Sequence, residues 1–194
     1  MLVTDDGLVG DRDLVALALA AERGGASSVQ LRLKRASPRE QVERARALVA
    51  ALRIPVLVND RPDIALAAGA SGVHLGPDDL PVALARRVAP PGFIIGASVG
   101  SAEEAGLAAE ADYWGIGPWR ATATKGDAGE ALGAEGFRRL MALSGGKPCI
   151  AIGGIRPEDV PEVSLVGGAG VAVVSGILGE ADVESATRRY LAPA

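Results

Sequence analysis

The stretch Ser28-Val29-Gln30-Leu31-Arg32-Leu33-Lys34 decides how this chain reads. Its pattern repeats every second residue, as a strand does: Leu31 and Leu33 point to one face, and Gln30, Arg32 and Lys34 to the other. An edge strand with one solvated face gives the same pattern. The rest of the chain argues for a different setting. Several other short apolar runs also end in polar or glycine-rich turns. In a parallel barrel those ends converge on one face, and chemistry sits there. An amide, a guanidinium and an ammonium on one line at that face would grip a phosphate or diphosphate.

Outward from this stretch, β-like runs alternate with Ala-rich helical patterns. Strands are expected near 2–4, 28–34, 55–59, 72–75, 93–97, 113–116, 149–152 and 171–174, and helices near 13–23, 38–52, 63–68, 80–88, 102–110, 135–143, 158–166 and 183–191. Ser37-Pro38-Arg39-Glu40 has the spacing of a capping box, with Pro at the first helical position, and Ser101-Ala102-Glu103-Glu104 repeats it. Helices stop at Gly24-Gly25 and at Gly69. Eight βα pairs in sequence predict a single-domain (β/α)8 TIM barrel over residues 1–194, with short loops because the chain is below the usual barrel length. An open doubly wound sheet is the competing architecture. The longest irregular stretch is 117–133, a length that points to function.

Composition narrows the field. Apolar residues make up 48% of the chain but aromatics only 3%, so the core is built from Ala, Val, Leu and Ile. The net charge of −4 is mixed along the chain, which argues against a nucleic-acid surface. The apolar runs are too short to span a bilayer, and no basic-plus-apolar leader opens the chain, so a cytoplasmic protein is expected. One His and one Cys leave no zinc site, and Cys149, inside an apolar run, reads as a buried, inert thiol. Exposed apolar helix faces are compatible with a homodimer that the sequence does not locate.

The strand ends carry the candidate chemistry. Asn59-Asp60 and Gly76-Pro77-Asp78-Asp79 read either as turns and helix caps or as carboxylates that share a Mg²⁺ with waters and substrate phosphates. His74 alternates with Val73 and Leu75 and is expected inside the barrel as a hydrogen-bonded core residue rather than a general base. Ser98 is left to bind a ligand if Ser101 caps the next helix. Thr122-Ala123-Thr124-Lys125 is either a solvated loop or a phosphate grip. Gly153-Gly154 and Val174-Ser175-Gly176 end the last two strands, where barrels often bind a phosphate. Two anion sites on one barrel mouth suggest two phosphorylated substrates, or one with a phosphate at each end.

Together these residues resemble the thiamine-phosphate synthase family over nearly the whole chain. The matching segments are Val29-Gln30-Leu31-Arg32-x-Lys34, Asn59-Asp60-Arg61, Gly72-Val73-His74-Leu75-Gly76-x-Asp78-Asp79-Leu80, Gly117-Pro118 through Thr122-x-Thr124-Lys125, Ala151-Ile152-Gly153-Gly154-Ile155 and Gly170-Val171-Ala172-Val173-Val174-Ser175. The resemblance implies a (β/α)8 barrel that joins hydroxymethylpyrimidine diphosphate to a thiazole phosphate, giving thiamine phosphate and diphosphate. It implies that Gln30, Arg32, Lys34, Asn59, Ser98 and Lys125 hold the pyrimidine diphosphate, with Arg32, Lys34 and Lys125 stabilising the leaving group. It further implies that Asp60 and Asp79 ligate Mg²⁺, and that Thr122, Thr124, Gly154, Val174 and Ser175 line the thiazole phosphate site.

This sequence departs from the family pattern at Leu33 (usually acidic), Pro77 (usually Gln), Ala121 (commonly Pro) and Gly100. The last distinguishes the synthase from a related thiazole tautomerase, whose proton transfers the resemblance assigns to a histidine at the position of Gly100. A non-catalytic barrel that binds a phosphorylated ligand is the third reading, and the paired carboxylates with Lys125 argue against it.

Overall fold

The computed structural model describes residues 1–121 and 130–191. Eight parallel strands form one sheet in sequence order: β1 (Leu2–Val3), β2 (Val29–Leu31), β3 (Val56–Asn59), β4 (Gly72–Leu75), β5 (Ile94–Val99), β6 (Tyr113–Ile116), β7 (Cys149–Ile152) and β8 (Gly170–Ala172). A bridge between Leu2 and Val173 brings β8 back to β1. There the Val3 N–H donates to the Val173 carbonyl at 3.0 Å, and the Val173 N–H to the Met1 carbonyl at 3.1 Å. The sheet is a (β/α)8 barrel rather than an open doubly wound sheet, which would reverse its strand order at a switch point. β2 lies between β1 and β3, so it is not an edge.

The helices on the outside are α1 (Asp6–Val9), α2 (Leu14–Arg23), α3 (Pro38–Ala51), α4 (Pro62–Ala68), α5 (Val82–Val88), α6 (Ala102–Leu107), α7 (Gly133–Met141), α8 (Val160–Leu165), α9 (Ser175–Leu178) and α10 (Val183–Arg188). A 3-10 turn at Pro157–Asp159 leads into α8. The sequence pattern predicts eight helices and misses α1 and α9. Each has four residues, barely one turn, so no apolar period can develop.

Both predicted serine caps form: Ser37 accepts from the Glu40 N–H at 3.3 Å, and Ser101 from the Glu104 N–H at 3.1 Å. The reciprocal carboxylate arm goes elsewhere in each case. Glu40 pairs with Arg44 on the next turn, and Glu104 accepts from the Gly100 N–H at 2.6 Å.

Alternation along the strands sorts the core into two layers. Leu31, Val58, Val73, Ile95, Trp114 and Ala151 are buried against the helices. Residues of the opposite parity fill the barrel: apolar Val3, Leu57 and Ala172, with buried Gln30 and His74 and the ring of Tyr113. Cys149 is buried, unpaired, and in contact with the Lys147 carbonyl at 3.4 Å, as an inert core thiol should be. Among the described residues no helix is long and apolar enough to cross a membrane.

Candidate active site

The rim begins with residues that the sequence pattern did not single out. Thr4 follows β1; its hydroxyl accepts from the Arg32 N–H at 2.8 Å and donates to the Arg32 carbonyl at 3.2 Å. Asp5 caps α1 through Oδ1, and its Oδ2 meets the Arg32 guanidinium at 3.3 Å. The Asp6 carboxylate accepts from the N–H groups of Lys34 and Arg35, at 2.7 and 3.3 Å. The backbone beyond β2 is therefore held by the loop beyond β1. Gln30 sits inside the barrel, while Arg32 and Lys34 stand above it, the ammonium about half exposed. A signal was available: Thr4-Asp5-Asp6 closes the first strand just as Asn59-Asp60 closes the third.

Asn59 ends β3 opposite His74 of β4. Asp60 follows in the left-handed region, with φ of 65°, alone among the described non-glycine residues. Aspartate tolerates this conformation better than most residues, and the Asp60 N–H donating to the His74 carbonyl at 2.8 Å holds it there. The turn delivers the carboxylate to the rim, where Oδ2 lies 3.7 Å from Lys34 Nζ. Of the two aspartates after β4, Asp78 is exposed and Asp79 turns inward. Neither caps α5, which starts behind Pro81 without a side-chain cap. Asp79 closes its own turn by accepting from the Gly76 N–H at 2.6 Å. Burial raises its pKa, contact with the Asp60 carboxyl raises it further, and Lys34 opposes the shift. Among the described residues no group of three or more His, Cys, Asp or Glu could hold a metal; these two carboxylates form a pair.

Below the rim runs a polar chain. Ser98, on β5, lies 3.0 Å from His74 Nε2, and His74 Nδ1 lies 2.8 Å from the Tyr113 hydroxyl. The Gln30 side chain faces the same hydroxyl and opposes the rise in its pKa that burial causes. His74 is the hydrogen-bonded interior residue that its alternation predicts. Ser101 does cap α6, as expected, but Ser98 is already engaged by His74 and lies within β5 rather than after it.

On the opposite side the rim is built from backbone. The segment after β6 lies along the end of β7: the Trp119 N–H donates to the Ile152 carbonyl at 2.8 Å, and the Arg120 N–H to the Gly153 carbonyl at 2.9 Å. The returning chain is tied to it by the Leu132 N–H on the Pro118 carbonyl at 2.8 Å and the Gly133 N–H on the Trp119 carbonyl at 3.1 Å. Thr122, Thr124 and Lys125 lie outside the described residues. The Arg120 guanidinium grips the buried Asp159 carboxylate, which also accepts from the Arg156 N–H at 2.8 Å. Gly153 and Gly154 both have positive φ, 90° and 66°. Val174 precedes α9 and Ser175 opens it, so the first N–H groups of that turn have no partner within the helix. Tyr190, which the sequence did not flag, packs over this corner. Its hydroxyl donates to the Ile155 carbonyl at 3.4 Å and occupies the space where a Cβ on Gly176 would lie.

Residues 1–177 match the family model described as thiamine monophosphate synthase. This chain belongs to the thiamine monophosphate synthase family. It is 48% identical to the thiamine-phosphate synthase of Azorhizobium caulinodans, covering 96% of this chain and 90% of that protein. It is 45% identical to the thiamine-phosphate synthase of Methanoculleus marisnigri over the same shares. The thiamine phosphate pyrophosphorylase of Pyrococcus furiosus has a solved structure that superposes with a TM-score of 0.86 at 38% identity, covering 97% of this chain and 92% of that one.

Membership in the synthase family fits a mouth with two chemically different ends. One carries charged side chains, two of each sign; the other offers backbone N–H groups at glycines and a helix start. Gly100 carries no side chain, and its N–H donates to Glu104.

Proposed function

We propose that this chain joins hydroxymethylpyrimidine diphosphate to a thiazole phosphate, releasing diphosphate and forming thiamine phosphate. The observation that carries this reading is the pairing of a charged anion grip at β2–β4 with a glycine-built one at β7–β8, on one barrel mouth, in a chain of this family. The diphosphate lies against Arg32, Lys34 and Lys125, with Asn59 beside them, and Gln30 and Ser98 hold the pyrimidine below. Thr122, Thr124, Gly154, Val174 and Ser175 receive the thiazole phosphate.

The bond between the pyrimidine methylene and the diphosphate oxygen breaks, its electron pair leaves with the diphosphate, and the thiazole nitrogen closes on the cation that remains. No protein nucleophile is required. The chain supplies charge where the leaving group develops it and holds two substrates in line. Arg32 is fixed for this by Thr4 and Asp5, so its guanidinium needs little reorganisation as charge moves.

Asp60 and Asp79 fit a Mg²⁺ ion. Two carboxylates in contact, one with its pKa raised by burial and by the other, are relieved by a cation between them. Two protein oxygens suffice when diphosphate oxygens and water complete the shell, as Mg²⁺ usually requires. When bound, the ion neutralises charge on the departing diphosphate.

The test is a coupling assay with purified protein, both substrates, and Mg²⁺ present or withheld. Thiamine phosphate that appears only with Mg²⁺ is the expected result. Its absence with both substrates bound would overturn the reading, and its formation in chelator would remove the metal assignment.

A further inference from the structure

The closing seam of the barrel is its thinnest part. β1 has two residues. It pairs with β2 at Leu2–Val29 and Val3–Gln30, and among the described residues it meets β8 through one bridge, Leu2 to Val173. The strands on its two sides lead to the two ends of the mouth: β2 to Arg32 and Lys34, β8 to Val174 and Ser175. Sheet pairing on β1 stops at Val3, so above that level side chains must set the spacing between the ends.

On the β2 side the link is Asp6 of α1, whose carboxylate accepts from the Lys34 N–H at 2.7 Å. On the β8 side it is Arg12, in the turn between α1 and α2. Arg12 Nη2 carries two N–H groups and donates to two carbonyls: Leu8 in α1, and Leu178 at the end of α9 at 2.6 Å. Both helices have four residues, too short to be stable alone, and both end in carbonyls with no partner inside the helix. One guanidinium serves the two. The connection is continuous: it runs from the Lys34 backbone through Asp6, α1 and Arg12 to α9, over the seam from one end of the mouth to the other.

We propose that Arg12 is a positioning residue, a clasp that holds α1 to α9 and so fixes the distance between the two anion grips. This rests on the reading that those grips hold the two substrates of one reaction. Arg12 is exposed and belongs to neither grip. Each substrate binds its own grip, but bond formation needs the thiazole nitrogen in line with the pyrimidine methylene, which depends on both grips together. Loss of the clasp should therefore appear in the bond-forming step and in neither binding step.

Arg12→Met keeps the aliphatic stem and removes the guanidinium. Its single-turnover rate at saturating substrates should fall roughly tenfold, less than an ångström of misplacement costs, while both KM values hold. Arg12→Lys, whose ammonium can still donate to carbonyls, should recover part of the rate. A clasp already cut at one end loses little when cut at the other, so Arg12→Met should cost less in an Asp6→Ala background than in wild type. An unchanged rate, a rise in KM at a steady rate, or effects that simply multiply would each overturn the proposal. Should Arg12→Met fold poorly, Arg12→Gln is read by the same criteria.

Hydrogen exchange tests the clasp without turnover. In Arg12→Met, amides at 8–10 and at 177–180 should exchange faster together, with those at 76–79 unchanged. Faster exchange in α1 alone, or in neither helix, means that Arg12 joins nothing. A wild type that makes no thiamine phosphate removes the parent reading, and the exchange result still decides whether the clasp exists.

Discussion

The two ends of the barrel mouth proposed to bind anions are made of different materials. At β2–β4, Arg32, Lys34, Asp60 and Asp79 bring formal charges, held by Thr4, Asp5, Asp6 and the Gly76 turn. At β7–β8, Gly153, Gly154 and the start of α9 bring backbone N–H groups, held by the hydrogen bonds from Trp119 and Arg120 to the carbonyls of Ile152 and Gly153. A charged grip can be weakened one functional group at a time. A backbone grip has no functional group to remove; it is disturbed by adding atoms. The ends therefore differ in which substitutions they feel and in which substrate registers the loss.

The largest effect should come from the charged end. Asp60→Asn keeps a residue that tolerates φ of 65° and removes only the charge. We expect turnover to fall by about a hundredfold or more, since charge stabilisation at a leaving group is usually the largest single contribution. Melting temperature should hold steady or rise, because the carboxylate contact with Asp79 is relieved. Full activity in this variant would break the metal assignment and, with it, half of the contrast.

The matching experiment at the other end adds one methyl group. A Cβ on Gly154 would lie 2.9 Å from the Arg120 Cβ, and alanine at φ of 66° costs about 1–2 kcal/mol. Gly154→Ala should lower stability by that amount and raise KM for the thiazole phosphate roughly tenfold, as loss of a phosphate hydrogen bond would. KM for the pyrimidine diphosphate should stay put. If instead the two KM values move together, the ends are not separable.

The same contrast explains what was legible in the sequence. The barrel was, because eight strands each show either alternation or a short apolar run, and the helices between them have period, caps and stops. The charged end was nearly so: residue type and strand position put forward Arg32, Lys34, Asp60 and the pair Asp78-Asp79, and the family resemblance singled out Asp79. What failed there was local. Asp5 and Asp6 act through bonds to residues about thirty positions downstream, which no window of sequence contains. Which aspartate after β4 turns inward also depends on the turn, not on composition. At the glycine-built end, Gly153 and Gly154 stood out, but α9 is too short to have a period, and Tyr190 reaches the corner from beyond the last strand. The link from Tyr113 to His74 was invisible because β4 and β6 are not neighbours; the contact passes over Gly96 inside the barrel.

A smaller effect probes how the charged end is held. Asp5→Asn retains the Oδ1 that caps α1 and gives up the ion pair with Arg32. Pairs of this partial exposure contribute little to stability, so melting should hardly change. A guanidinium less firmly aimed should raise KM for the pyrimidine diphosphate by about threefold, consistent with the upper range of such pairs. No change would mean that Thr4 and the backbone alone position Arg32.

The smallest kinetic effect is expected where a charged pair supports the backbone end. Arg120 holds the Asp159 carboxyl below the usual carboxylate range, and the Arg156 N–H adds to this. A group with its pKa lowered on folding stabilises the protein above its ordinary value, and that contribution disappears as pH falls through the lowered one. Asp159→Asn should therefore melt about 2–4 °C below wild type at neutral pH. The gap should narrow as the solution is acidified, because the wild-type carboxyl then protonates as well. Neither KM should change by more than about twofold, since a neutral amide still accepts from Arg156 and the backbone bonds of Trp119 and Arg120 to residues 152 and 153 remain. A large rise in KM for the thiazole phosphate would mean that this end also depends on charge, carried from Asp159 through Arg120 to Gly154, and the distinction between the two ends would lie in distance from the phosphate rather than in material.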